Sequence, residues 1–135
     1  MTEKDRRAIH SLLVRYLPIF EDASKTQCSW EEPVLKEGNP RTLVVHKPEY
    51  SDALIAFFEE VSQTLQDRQY LESPVANWLE DPDFLQSATL KQMRSVFTWI
   101  CRGERFCDGH WDEQLRNRNI LRSLIRLRAL ATEQC

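Results

Sequence analysis

The sequence predicts an all-α domain: a compact bundle of about five to six helices, with a short strand or hairpin in the 25–48 region. Three observations predict it. Apolar residues recur at helical spacing over 9–20, 54–65 and 90–101. Capping residues stand at the start of each of these stretches. The segment that breaks the period, 21–50, is punctuated by Pro33, Gly38, Pro40 and Pro48, and its β character is confined to Thr-Leu-Val-Val-His at 42–46. At 135 residues the chain has the length of one domain, 1–135, with no internal repeat or linker, and it can bury a core without staples.

The elements follow in order. Thr2 to Asp5 resembles a capping box, with an Asp where Glu or Gln is usual. The helix it opens aligns Ile9, Leu12, Leu13, Tyr16, Leu17 and Phe20 on one face, and Pro18 is expected to end or kink it. The 42–46 run is expected to form a strand that pairs near Trp30. Ser51 is the N-cap expected for a helix carrying Leu54, Phe57, Phe58, Val61 and Leu65. Ser73-Pro74 reads as an N-cap followed by a first-turn proline, before Val75, Trp78 and Leu79. Asp81-Pro82 repeats the device before Phe84 and Leu85. Thr89 and Gln92 match a capping box, leading a longer helix with Leu90, Met93, Val96, Phe97, Ile100 and Cys101 inward. The last helix turns Ile120, Leu124, Leu127 and Ala131 to one side.

Composition excludes several classes. No apolar run approaches the ~20 residues of a membrane span. The charged N-terminus, MTEKDRRAIH, lacks a signal core, so a cytoplasmic protein with reduced thiols is expected. Residues 1–90 hold nine Lys and Arg against sixteen Asp and Glu, a net of −7, while 91–128 hold nine against four, a net of +5. Complementarity between the two halves explains this as well as an anion-binding face does. A pI near 5.6 argues against a dedicated nucleic-acid binder.

The chemically dense stretch is Arg-Gly-Glu-Arg-Phe-Cys-Asp-Gly-His-Trp, 102–111. Extended at ~100° per residue, the Thr89 helix brings Glu104 onto its apolar face, with Arg102 and Arg105 on the flank. A carboxylate there must be hydrogen-bonded, by an arginine of another helix or by the free amides where the chain restarts at Asp108. In this structural reading Glu104 is mostly buried, Asp108 is the N-cap of the next helix, Gly109 relaxes the turn and Phe106 plugs the junction. In the competing reading Arg102, Arg105 and His110 line a pocket for an anion beside that helix start, with Glu104 or Asp108 as acid/base. The candidate binding cluster is therefore Arg102, Glu104, Arg105, Phe106, Asp108, His110 and Trp111.

RGERFCDG, followed by LIRLRAL at 124–130, resembles a family of small bacterial proteins catalogued as a domain of unknown function. The matching positions are Arg102, Glu104, Arg105, Phe106, Asp108, Gly109, Leu124, Arg126 and Leu127. The resemblance extends loosely over Tyr16 to Leu130 and implies a shared fold unit, with no activity, cofactor or partner attached.

Other constellations are weak. Cys101, Cys107 and His110 match no standard zinc spacing, so no metal or cofactor is expected. A Cys107–His110 nucleophilic pair lacks an orienting third group. His10 and His46 stand alone. Arg118, Arg122 and Arg126 form a helix stripe expected to be solvated, without the aromatics that stack bases. The four tryptophans, Trp30, Trp78, Trp99 and Trp111, are a surplus for this size, and Trp99 falls off its helix's apolar face. The leading expectation is a small non-enzymatic module that binds a protein partner or self-associates. The alternative is an enzyme or binding protein for a small anionic, nucleotide-like substrate.

Overall fold

The computed structural model describes residues 1–30 and 47–132. Its elements are α1 (Glu3–Glu21), β1 (Cys28–Trp30), β2 (Pro48–Tyr50), α2 (Asp52–Thr64), a 3-10 turn at Tyr70–Glu72, α3 (Val75–Glu80), α4 (Phe84–Ser87), α5 (Leu90–Gly103), α6 (His110–Arg116) and α7 (Asn119–Thr132). The predicted all-α bundle is present. Seven helices stand among the described residues instead of five to six, because α3 and α4 are separate short segments.

Local capping sets the helix starts. Thr2 Oγ1 accepts from the Asp5 amide while Asp5 accepts from the Thr2 amide, and Thr89 and Gln92 make the same reciprocal pair. Ser51 Oγ accepts from the Leu54 amide. Two expected starts differ. Ser73 makes no side-chain cap; its backbone N–H closes the preceding 3-10 turn onto Tyr70 O, and Pro74 occupies the cap position of α3. Asp81 accepts from the Asp83 amide in a side-chain turn, so the cap position of α4 falls to Asp83. The expected stop at Pro18 is also overturned, since α1 runs on to Glu21. The bond that proline removes is one to Val14, which is 62% exposed, so the gap falls on the wet side while Tyr16 and Leu17 stay buried.

The two strands form an antiparallel pair with Trp30 opposite Pro48 and Cys28 opposite Tyr50. Pro48 is tolerated as the first residue of its strand. The expected strand at 42–46 lies outside the described residues.

α5 lies at the centre, packed against α2, α6 and α7, and α1 packs against α7 and α2. Phe57 is the aromatic hub, with Tyr16, Phe20, Phe58 and Phe97 rings at 5.2, 5.1, 5.0 and 6.4 Å. Arg94 of α5 pairs with Asp5 at 3.0 Å and donates to Thr64 O, tying α1 and the end of α2 to the central helix. The arginine stripe is a solvated face only at Arg118, which is exposed. Arg118 lies in the α6–α7 junction, while Arg122 donates to Pro82 O and Arg126 to Ala88 O, fastening α7 to the α4 region.

Candidate functional site

The 102–111 stretch is the corner between α5 and α6. Successive turn bonds close it, from the Arg105 amide to Arg102 O, from the Phe106 and Cys107 amides to Gly103 O, and from the His110 amide to Cys107 O. Gly109 occupies the cap position of α6 with φ of 91°, in place of the expected Asp108, which is exposed. Left-handed backbone at this position favours glycine, and a Cβ there would also stand 2.6 Å from the Trp30 ring. A Cβ on Gly103 would meet the His110 ring at 2.3 Å. Both glycines of the motif are thus set by close approach.

Glu104 is the centre of the corner. Its carboxylate accepts from the Gly109 amide at 2.8 Å, the Trp111 amide at 2.9 Å and the Tyr50 hydroxyl at 2.6 Å. The expected amide bonds are present, and they satisfy donors that the first turn of a helix leaves open. Glu104 is half-buried rather than mostly buried, since the turn exposes one side of it. Burial, and then the hydrogen bond to Glu104, hold the Tyr50 phenol well above its ordinary pKa.

The aromatic residues seat the β-pair on this corner. Trp111 donates to Ile100 O and Cys101 O, stacks on Phe58 at 4.3 Å and tilts against Tyr50. Trp30 donates to Asp112, which also pairs with Arg116 at 3.0 Å. Trp78 stacks on Phe84, and Trp99 meets His110 edge-on at 4.6 Å. The four tryptophans are therefore all used inside the fold. Tyr50, Trp30 and Asp112 are site residues that sequence reasoning missed; Tyr50 is 54 residues from Glu104, and no local pattern announces the pairing.

The other candidates diverge. Arg102 is half-buried, with its guanidinium 5.7 Å over the Tyr70 ring, and Arg105 is exposed. His110 is only 9% exposed, and burial pushes its pKa down against the opposing charges of Glu104 and Glu113. Phe106, expected as a buried plug, is 79% exposed, because the turn after Gly103 carries it outward. Cys107 is exposed while His110 is buried, and Cys101 directs its thiol to Phe58 O. Among the described residues no group of His, Cys, Asp or Glu is arranged to hold a metal ion. A cavity of about 400 Å³ opens elsewhere, against the C-terminal end of α1, and none of Arg102, Glu104, Arg105, Asp108 and His110 lines it.

The fold and corner define a small helical domain whose densest polar cluster is hydrogen-bonded into its own architecture. The chain belongs to a family of unknown function, DUF6508, whose model matches residues 6–133. Neither a curated protein nor a solved structure gives a match. Among the described residues no helix is long and apolar enough to cross a membrane.

Proposed function

We propose that this chain is a non-enzymatic helical module of the bacterial cytoplasm that binds a protein, either a partner or a second copy, through the α5–α6 corner. The observation that carries the reading is Phe106, 79% exposed on a turn whose flanks are fixed by Glu104, Gly109 and Trp111. A large apolar side chain on a pre-ordered loop loses little entropy on docking, and aromatic anchors of this kind dominate interface energies. The exposed Arg105 and Asp108 supply a polar rim beside it. The alternative, catalysis or binding of a small anionic or nucleotide-like substrate by Arg102, Glu104, Arg105, Asp108 and His110, needs groups that converge. These five sit in different surroundings, and no observation at the corner favours it.

The test is a photo-crosslinking residue placed at Phe106, with Val14, also exposed, as the control position. The expected result is a discrete adduct in cells from position 106 and none from position 14. Sedimentation across a concentration range identifies a second copy if association appears and Phe106→Ser removes it. No adduct above the control, and no association sensitive to Phe106→Ser, would sink the reading.

A further inference from the structure

The cavity of about 400 Å³ lies between the C-terminal turn of α1, the chain leading into β1, α6 and the first turn of α7. That volume falls in the range of small-molecule sites. Phe20, Leu115 and Leu121 form apolar wall, and Lys25, Arg116 and Arg118 bring positive charge to it, set against the carboxylates of Glu21, Asp22 and Asp112. These cations are not equivalent. Arg116 is paired with Asp112, and Lys25 stands near the Asp22 carboxylate. The Arg118 guanidinium has no ion pair or hydrogen bond among the described residues.

Arg118 is also the sole non-glycine at positive φ among the described residues, at 64°. It follows Asn117, the C-cap of α6, where left-handed backbone normally selects glycine or asparagine. Its amide donates to Leu115 O and its carbonyl accepts from the Arg122 amide, so the turn needs only its backbone. Arg118 thus stands where glycine would be less strained, with its charge unpaired on a cavity wall.

We propose that this cavity is a binding site for a small organic anion, a carboxylate or phosphate monoester on an apolar body, with Arg118 receiving the charged head. Guanidinium geometry suits the two oxygens of either head group. The apolar body lies against Phe20, Leu115 and Leu121. The site is separate from Phe106 and does not depend on the corner's proposed role.

The experiment is amide chemical-shift mapping of the whole chain with four probes: phenylacetate, phenyl phosphate, the neutral phenylacetamide and inorganic phosphate. Saturable shifts are expected at Leu115, Arg118, Ile120 and Leu121 with one or both aromatic anions. Binding of the amide and of inorganic phosphate should be weaker by roughly tenfold or more. The preferred anion separates a carboxylate site from a phosphate one. Arg118→Gly and Arg118→Asn, both suited to the turn, should lose roughly tenfold in affinity with Tm unchanged or raised by up to about 5 °C. The proposal is overturned if neither aromatic anion saturates these amides, if the amide or inorganic phosphate binds equally well, if both variants keep full affinity, or if both melt well below wild type, which would make Arg118 a packing residue.

Discussion

Glu104 shows how one side chain replaces a conventional helix cap. Asp108 is free to cap α6 by sequence, yet the carboxylate that reaches the open amides comes from the end of α5. Glu104→Gln should destabilise the fold by about 1–3 kcal/mol, because the amide group sets an N–H₂ against positions where only donors point. Tyr50→Phe removes one of the three donors and should cost about 1 kcal/mol. Urea unfolding of the two variants decides the matter; a Glu104→Gln protein as stable as wild type would show that the bonds contribute nothing. His110 gives a pH signature. Burial lowers its pKa below the ordinary 6.5, so the folded protein binds fewer protons than the unfolded chain in mildly acid solution. Its contribution is complete above about pH 6.5 and is lost as the pH falls toward the folded value. His110→Phe should flatten the part of the stability profile that declines below pH 6.5, and an unchanged slope would contradict the buried neutral imidazole.

At the scale of elements, each helix start with a reciprocal capping pair was legible, because both partners lie within one turn. The stop at Pro18 was not. A proline removes one bond and crowds the preceding turn, but Ile19 and Phe20 of the following turn pack against the core and hold the helix together. Pro18→Ala should therefore restore the missing bond and stabilise the protein by roughly 1–3 kcal/mol, read as a raised Tm. A lower Tm would mean that the proline's rigidity in the unfolded chain outweighs the lost bond. The expected pairing of 42–46 near Trp30 lies outside the described residues, and the strand that does pair with Cys28–Trp30, Pro48–Tyr50, has no strand signal of its own. It is held by Ser51 donating to Gln27 O, by Tyr50 on Glu104 and by Trp30 on Asp112.

At the scale of the molecule, arginines of the basic half reach across to the acidic half. Arg94 from the basic half pairs with Asp5 from the acidic half, and Arg122 and Arg126 bond carbonyls of the acidic half. This is why Arg122 and Arg126 do not form the solvated stripe that their spacing suggests. The surplus of tryptophans has the same explanation: Trp30 and Trp111 join the β-pair, α2 and α5 to the corner, and all four are half-buried against neighbours.

The sequence by itself determined what is local: the helical periods, two capping boxes, the Ser51 cap, the buried faces of α1, α2, α5 and α7, and the need of Glu104 for hydrogen-bond donors. These depend on residues three or four apart, whose relative positions a helix sets before any packing. The tertiary structure alone decided that Tyr50 and Trp30 lock the corner and that Phe106 points outward. It also decided that Gly103 yields to the His110 ring and that Arg118 stands unpaired on a cavity wall. Those outcomes turn on which surfaces meet across tens of residues, and a one-dimensional pattern carries the hydrophobicity of a face without the identity of what covers it.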